Sequence, residues 1–185
     1  MTLSIAVSAL LLTLTASLGW TSDAPLPELS IYHAAAEWTD QNGKTLRLRD
    51  LAGKPVAISM IYLTCTYTCP ATVMHMRKLQ KALPESVRKD ATFVLVSFDP
   101  ARDTADKMRA FAKKHDLGPE WRLITTRKEA DLRELSTLID FKYKRSADGE
   151  FEHSFGIVAL DRQGRIAGSS VGTGMKTDEL AKKLQ

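Results

Sequence analysis

Two cysteines, Cys65 and Cys69, are the residues of this chain whose type and spacing most directly indicate chemistry. They are the only cysteines in the sequence, and they lie four residues apart. This spacing allows the two sulfurs to form a disulfide or to bind one soft metal ion together. A disulfide across so short a loop would stabilise the fold only modestly, because it closes little chain. We therefore interpret the pair as chemical rather than structural.

The pair is predicted to lie between a buried strand at residues 56–63 and a helix that begins near Cys69. Pro70 follows directly, and proline suits the first position of a helix. The unpaired amides and the dipole at a helix N-terminus favour a thiolate over a thiol. Both sulfurs would then lie at the carboxyl end of a central strand, where the ligand sites of α/β proteins gather.

A third ligand would decide between a redox dithiol and a metal site. Zinc usually takes four protein ligands in a closed site, whereas Cu(I) accepts soft thiolates with an imidazole beside them. The sequence offers four histidines, His33, His75, His115 and His153. On the predicted helix His75 is turned about 240° away from Cys69. His115 lies at the C-terminal end of a predicted helix, where the helix dipole stabilises an imidazolium, and this position is enough to explain it.

His153 lies in a predicted loop at residues 149–154, directly before a predicted strand. In a thioredoxin-type fold that loop faces the cysteine segment and usually carries a proline. This sequence has no proline after Pro119. From the residues alone, a ligand role and an ordinary loop position explain His153 equally well.

The elements around these residues follow an α/β order. Strands are predicted at residues 45–49, 56–63, 92–98, 121–125, 155–160 and 165–170. Helices are predicted at residues 69–83, 104–115, 128–138 and 177–184. The βαβ units predict parallel central strands, and the late hairpin predicts an antiparallel edge. With a hairpin turn at Asn42-Gly43, the sequence predicts an α/β, thioredoxin-like sandwich: a central mixed sheet flanked by helices, with an added N-terminal hairpin.

Composition limits the classes of function. The chain has 185 residues, 44% of them hydrophobic and 26% charged, which fits one globular domain. The net charge is +4, but the basic residues are evenly spread, so no nucleic-acid-binding arm is predicted.

The N-terminal segment predicts export. Residues 3–18 are almost all apolar or small, and residues 1–22 contain no Asp, Glu, Lys or Arg. As a helix this stretch would reach about 24 Å, less than a hydrocarbon core of about 30 Å. We expect residues 1–20 to be a cleaved signal peptide or a retained membrane anchor, residues 21–35 a linker, and residues 36–185 the domain. The domain would then be periplasmic, or anchored and facing the periplasm, where a thiol pair can be oxidised.

Three segments together resemble a known family. They are the CxxxCP segment, the run Ser-Phe-Asp-Pro-Ala-Arg-Asp-Thr at residues 97–104, and Glu-His-Ser at residues 152–154. Residues 40–43 and 51–55 extend the likeness to about residues 35–185. In this order and at these separations they resemble the Sco/SenC family of copper chaperones. One departure is local, because Thr66-Tyr67-Thr68 lies between the cysteines where many members have a proline.

The resemblance implies a thioredoxin-like fold and a copper site formed by Cys65, Cys69 and His153. It implies Cu(I) as the bound ion, and Cu(II) in some members. Delivery to the binuclear copper centre of cytochrome c oxidase, or to another cuproprotein, follows from it, as does reduction of that centre's thiols. Asp99 would then lie near the metal, in the outer shell or in partner binding. An ordinary Asp-Pro turn explains Asp99 equally well.

Two other functions compete with copper binding. An exported thiol-disulfide reductase would use Cys65 and Cys69 without a metal and would need a thiol reductant. A peroxidase is suggested by Thr66 at a Thr-x-x-Cys spacing, but Tyr62 stands where peroxiredoxins carry a proline. The copper hypothesis predicts a protein that is not an enzyme in the strict sense, with thiol-disulfide exchange as a possible activity of the same pair.

Overall fold

The computed structural model describes residues 25–65 and 68–185, and the side chains of residues 68 and 69 lie outside that description. The predicted leader, residues 1–20, also lies outside it. The described strands are β1 Glu37–Asp40, β2 Thr45–Arg47, β3 Val56–Ile61, β4 Thr92–Ser97, β5 Trp121–Thr125, β6 Tyr143–Arg145, β7 Phe151–His153, β8 Gly156–Leu160 and β9 Ile166–Val171. The α-helices are α1 Thr68–Ala82, α2 Glu85–Asp90, α3 Ala105–Lys114, α4 Glu129–Leu138 and α5 Thr177–Lys182. Among these helices none is long and apolar enough to cross a membrane.

Seven of the strands form one mixed sheet in the order β2-β1-β5-β4-β3-β8-β9. The central strands β3, β4 and β5 are parallel, whereas β8 and β9 are antiparallel to their neighbours. Every residue of β3 and β4 is buried, as expected for strands covered on both faces. The β1–β2 hairpin pairs antiparallel with β5 at the other edge. The predicted mixed sheet with an added N-terminal hairpin is therefore confirmed.

Helices flank this sheet. The helix α1 packs on β3 and β8 and against α5, while α3 packs on β5 and β1. On α1 the apolar stripe of Val73, Met76 and Leu79 is buried. The amphipathic spacing seen in the sequence thus determines which face of α1 covers the sheet.

Several short elements were not predicted, among them α2 and the hairpin of β6 and β7. The helix α2 has no buried residue, so its sequence carries no apolar stripe to reveal it. The strand β7 has three residues and pairs with β6, with Tyr143 opposite His153. The prediction of a loop at His153 is therefore wrong, because backbone pairing across the turn at Gly149 makes this residue the last of a strand.

Residues 30–33 attach the beginning of the described chain to the turn between β8 and β9. The amide of Ile31 donates to the Gly164 carbonyl at 3.0 Å, and the Ser30 hydroxyl donates to the carbonyl of Gln163 at 2.5 Å. Tyr32 is only 2% exposed and lies against Gly164. Because β8 runs antiparallel to β3, this turn lies where β3 begins. The chain therefore enters the fold at the end of β3 that is opposite to Cys65.

Replacing Gly164 tests this attachment. Gly164 has a φ of +78°, and an added Cβ would lie 2.5 Å from Cδ2 of Tyr32. We expect Gly164→Ala to lower the free energy of unfolding by about 3 kcal/mol, from backbone strain and overpacking together. Gly43→Ala is the matched control, because Gly43 has a φ of +77° with nothing within 4 Å, and it should cost about 1 kcal/mol. Equal losses in urea unfolding would show that Tyr32 does not pack tightly against the turn.

Candidate metal centre

Cys65 and His153 are brought to one end of the sheet by the pairing of β3 with β8. The two strands are antiparallel, with Val56 opposite Leu160 and Ile58 opposite Val158. The segment that leaves β3 and the segment that enters β8 must therefore lie side by side. Cys65 follows the last residue of β3 by four positions, and His153 precedes the first residue of β8 by three.

Tyr62 is the residue that joins the two sides of this site. It is 5% exposed, and the neighbouring side chain of Cys65 helps to raise the pKa of its phenol. Its ring meets the imidazole of His153 edge-on, with 5.7 Å between the ring centroids. The amide of Cys65 donates to the carbonyl of Tyr62 at 3.3 Å, so a tight turn brings the sulfur back toward the phenol. One side chain thus contacts a predicted sulfur ligand and the predicted nitrogen ligand.

Cys69 lies in the first turn of α1, so the predicted helix start is confirmed by the backbone. Its side chain is outside the described residues. Among the side chains that the structure describes, no group of three His, Cys, Asp or Glu residues could hold a metal ion. The part of the predicted ligand set that the structure brings together is Cys65 and His153.

The imidazole of His153 is oriented by its own backbone neighbour. Its Nδ1 lies 2.6 Å from the carbonyl oxygen of Ser154. A carbonyl can only accept, so in the neutral imidazole Nδ1 carries the hydrogen and Nε2 the lone pair. Such a bond commonly fixes the tautomer and ring orientation of a metal-binding histidine. A thiolate with a neutral imidazole is a donor set that suits Cu(I).

Aromatic rings surround this imidazole. The His153 ring lies 5.4 Å from Phe98 and stacks at 5.9 Å on Phe141, both measured between centroids. Phe98 and Phe141 are themselves buried in the core. The ring of His153 therefore has little freedom to rotate away from Tyr62.

Asp99 is fully buried and does not face water. Its carboxylate forms ion pairs with Nε of Arg102 and, at 3.1 Å, with Nη2 of Arg145. Arg102 extends the network, because its Nη1 lies 3.0 Å from Oε1 of Glu150. Glu150 precedes His153 by three residues. Asp99 is thus connected to the hairpin of His153 through arginines.

The same network keeps two side chains in their ordinary protonation states. Burial raises the pKa of Tyr62 well above its usual value, and the neighbouring Cys65 and Glu150 raise it further. Hydrogen bonds to Asp99 and Glu150 raise the pKa of Arg102. Tyr62 is therefore a neutral phenol and Arg102 a cation throughout the physiological range.

Sequence reasoning missed Tyr62, Arg102 and Glu150. Arg102 lies inside the segment at residues 97–104 that carried the resemblance, and Glu150 lies three residues before His153. Their positions were thus within the informative segments. Their contacts, however, join residues up to 88 positions apart, such as Tyr62 and Glu150, which no local pattern reveals.

The other three histidines lie in separate surroundings. The exposed His33 has Nε2 at 3.0 Å from a backbone carbonyl, and the ring of His75 packs edge-on to Phe155 at 5.7 Å. His115 lies 4.2 Å from the ring of Phe111. Burial lowers the pKa of His115, and two neighbouring cations lower it further. Burial and the neighbouring cations therefore outweigh the stabilisation of the His115 imidazolium that was expected from the helix dipole.

Asp103 lies beneath the cysteine segment as a second buried carboxyl group. Its Oδ2 accepts from the amide of Leu63 at 2.9 Å and from the hydroxyl of Ser97 at 2.6 Å. Its Oδ1 is buried with no hydrogen-bond partner among the described atoms. Thr104, the next residue, caps α3 by accepting from the amide of Lys107. Burial raises the pKa of Asp103, since its ionised form is poorly solvated.

Comparison with known families places most of the chain in one of them. The sequence model of the SCO1/SenC family matches residues 29–185. A Stutzerimonas stutzeri protein with the provisional name of copper-binding protein is 30% identical over 82 residues, which are 44% of this chain and 40% of that protein. The SCO1 protein homolog of Bacillus subtilis strain 168 is 28% identical over 98 residues, 52% of this chain and 50% of that protein. The chain thus matches about half or less of the length of these curated relatives.

The fold also matches solved structures. The structure of Bradyrhizobium japonicum ScoI with copper bound superposes with a TM-score of 0.66 and 25% sequence identity. The match covers 80% of this chain and 94% of that one. The predicted thioredoxin-like fold of the Sco proteins is therefore confirmed.

The raised pKa of Asp103 predicts how stability depends on pH. Because the folded pKa lies above the unfolded one, the stabilisation from the protonated form is complete below the usual value of about 3.9 and is lost as pH rises through the folded value. The cost of Asp103→Asn, measured by urea unfolding, should therefore be larger at pH 4 than at pH 8. The exposed Asp116→Asn is the control and should show no such trend. A cost that is equal at both pH values would contradict the raised pKa.

Proposed function

Because the chain belongs to the SCO1/SenC family, we propose that it is an exported copper metallochaperone whose cargo is bound by Cys65, Cys69 and His153. The observation that carries this proposal is the contact of Tyr62 with both Cys65 and His153. A sulfur donor and a nitrogen donor that share one neighbouring side chain at the end of the central strand support binding of a common ion.

Each of the three residues has a distinct part in holding the ion. The cysteines bind as thiolates, so copper binding releases protons from them. The start of α1 favours the thiolate of Cys69. His153 offers Nε2, because its Nδ1 is engaged by the Ser154 carbonyl. Bound copper would supply the ion that is transferred, and the surrounding aromatic rings limit the access of water to it.

The remaining proposals concern the cellular location of the protein and the protein that receives the copper. Residues 1–20 act as a signal peptide or membrane anchor, residues 21–35 as a linker whose residues 30–33 pack on the domain, and residues 36–185 as the copper-binding domain, periplasmic or facing the periplasm. The partner is the copper-accepting subunit of cytochrome c oxidase or another cuproprotein. A thiol reductant keeps the cysteines reduced, because a disulfide cannot hold Cu(I). Copper is carried as Cu(I), and Cu(II) is a second state.

Copper titration of ligand variants tests the proposal. The full chain, purified in mild detergent and reduced, should bind one Cu(I) in competition with a chromophoric chelator. Cys65→Ser, Cys69→Ser and His153→Ala should each weaken binding by more than about tenfold, the smallest loss typical of an outer-shell residue. His33→Ala is the control, since His33 is exposed and lies near the opposite end of β3.

A metal-free thiol-disulfide reductase is the competing function, favoured by a cysteine at a helix start. If His153→Ala bound Cu(I) as tightly as wild type, His153 would not be a copper ligand. A protein that bound no Cu(I), yet reduced insulin disulfides at the same rate with and without His153, would be a reductase instead.

A further inference from the structure

A bridge of two side chains, Tyr62 and Glu150, connects the cysteine segment to the hairpin of β6 and β7. The hydroxyl of Tyr62 donates to Oε2 of Glu150 at 3.1 Å. At the other side of Tyr62, the amide of Cys65 donates to the Tyr62 carbonyl at 3.3 Å. Glu150 lies directly before β7, the strand that ends at His153. The Tyr62–Glu150 bridge therefore has Cys65 at one end and the strand of His153 at the other.

The second oxygen of Glu150 has its own partner. Oε1 lies 3.0 Å from Nη1 of Arg102, whose Nε is paired with the fully buried Asp99. The guanidinium of Arg102 also lies over the rings of Tyr62 and Phe151, at 5.6 Å and 5.7 Å from their centroids. Both carboxylate oxygens of Glu150 are thus held, and the arginine that holds one of them is itself anchored in the interior.

This arrangement differs from an ordinary surface ion pair. The side chains of Arg102 and Glu150 are 31% and 52% exposed, so their attraction alone adds little to stability. These contacts restrict the position of the cysteine segment relative to the hairpin of β6 and β7. Such outer-shell partners orient metal ligands and typically change metal affinity 10–100-fold when removed.

We propose that Tyr62 and Glu150 are positioning residues that keep His153 within reach of an ion held by Cys65. The inference rests on the proposed copper function and adds to it the residues that couple the sulfur and nitrogen ligands. Without the bridge, the hairpin of β6 and β7 moves relative to the cysteine segment, and the imidazole contributes less to binding.

The chain offers conservative variants and a matched control. Tyr62→Phe keeps the ring that packs on His153 and removes the hydroxyl. Glu150→Gln keeps the size of the side chain and removes its charge. Glu152→Gln is the control, because it removes the same charge from the same hairpin, next to His153. Glu152 is exposed, and among the described contacts it takes no part in the bridge.

A mutant cycle with His153→Ala separates positioning from general destabilisation. With His153 present, Tyr62→Phe and Glu150→Gln should each weaken Cu(I) binding about tenfold, and the double variant should lose about as much as either alone. In the His153→Ala background Glu150→Gln should alter the affinity less than twofold, because it leaves Tyr62 beside Cys65. An equal loss in both backgrounds, or a tenfold loss in Glu152→Gln, would overturn the proposal.

A metal-free measurement distinguishes the failure of this inference from the failure of the copper function. Amide hydrogen exchange at residues 151–153 should be faster in Tyr62→Phe and Glu150→Gln than in wild type, and unchanged in Glu152→Gln. If wild type binds no Cu(I), the copper function fails, and exchange alone decides whether the bridge holds the hairpin. If wild type binds Cu(I) but the bridge variants bind equally well, only the positioning role fails.

Discussion

The antiparallel pairing of β3 with β8 is the constraint on which the rest of the site depends. It places the chain that leaves the central strand beside the chain that enters the next one. Cys65 and His153 are 88 residues apart in sequence, yet each is only a few residues from this ladder. The hydroxyl of Ser59 strengthens the junction by donating to the Gly156 carbonyl at 2.6 Å. The register of two buried strands therefore determines which side chains meet at the end of the sheet.

A buried charge gives this end of the sheet its second constraint. A carboxylate withdrawn from water must be paired and hydrogen-bonded, or its burial is very costly. Asp99 satisfies this requirement with Arg102 and Arg145, and both arginines also lie over the ring of Phe151. The pairing thereby ties the loop after β4 to the hairpin of β6 and β7. The need to pair the buried charge of Asp99 therefore restricts the position of that hairpin.

Much of the architecture could be predicted from local patterns, and the exceptions have physical causes. The run of residues 121–125 is β5 as predicted, because its apolar residues and flanking turn signals are local features. The strand at His153 was missed because it depends on pairing across a turn with Tyr143. The candidate ligands could be named from residue type and family likeness. The bridge between them could not, since Tyr62 and Glu150 meet only through the folded sheet.

The entry of the chain near Gly164 has a consequence for access to the site. The strand β3 has six residues, so about 20 Å of sheet separates the attachment of residues 30–33 from the segment of Cys65. Residues 30–33 therefore lie far from the surface that carries Cys65 and His153. A second protein that contacted that surface would not compete with residues 30–33 for their place on the turn at Gly164.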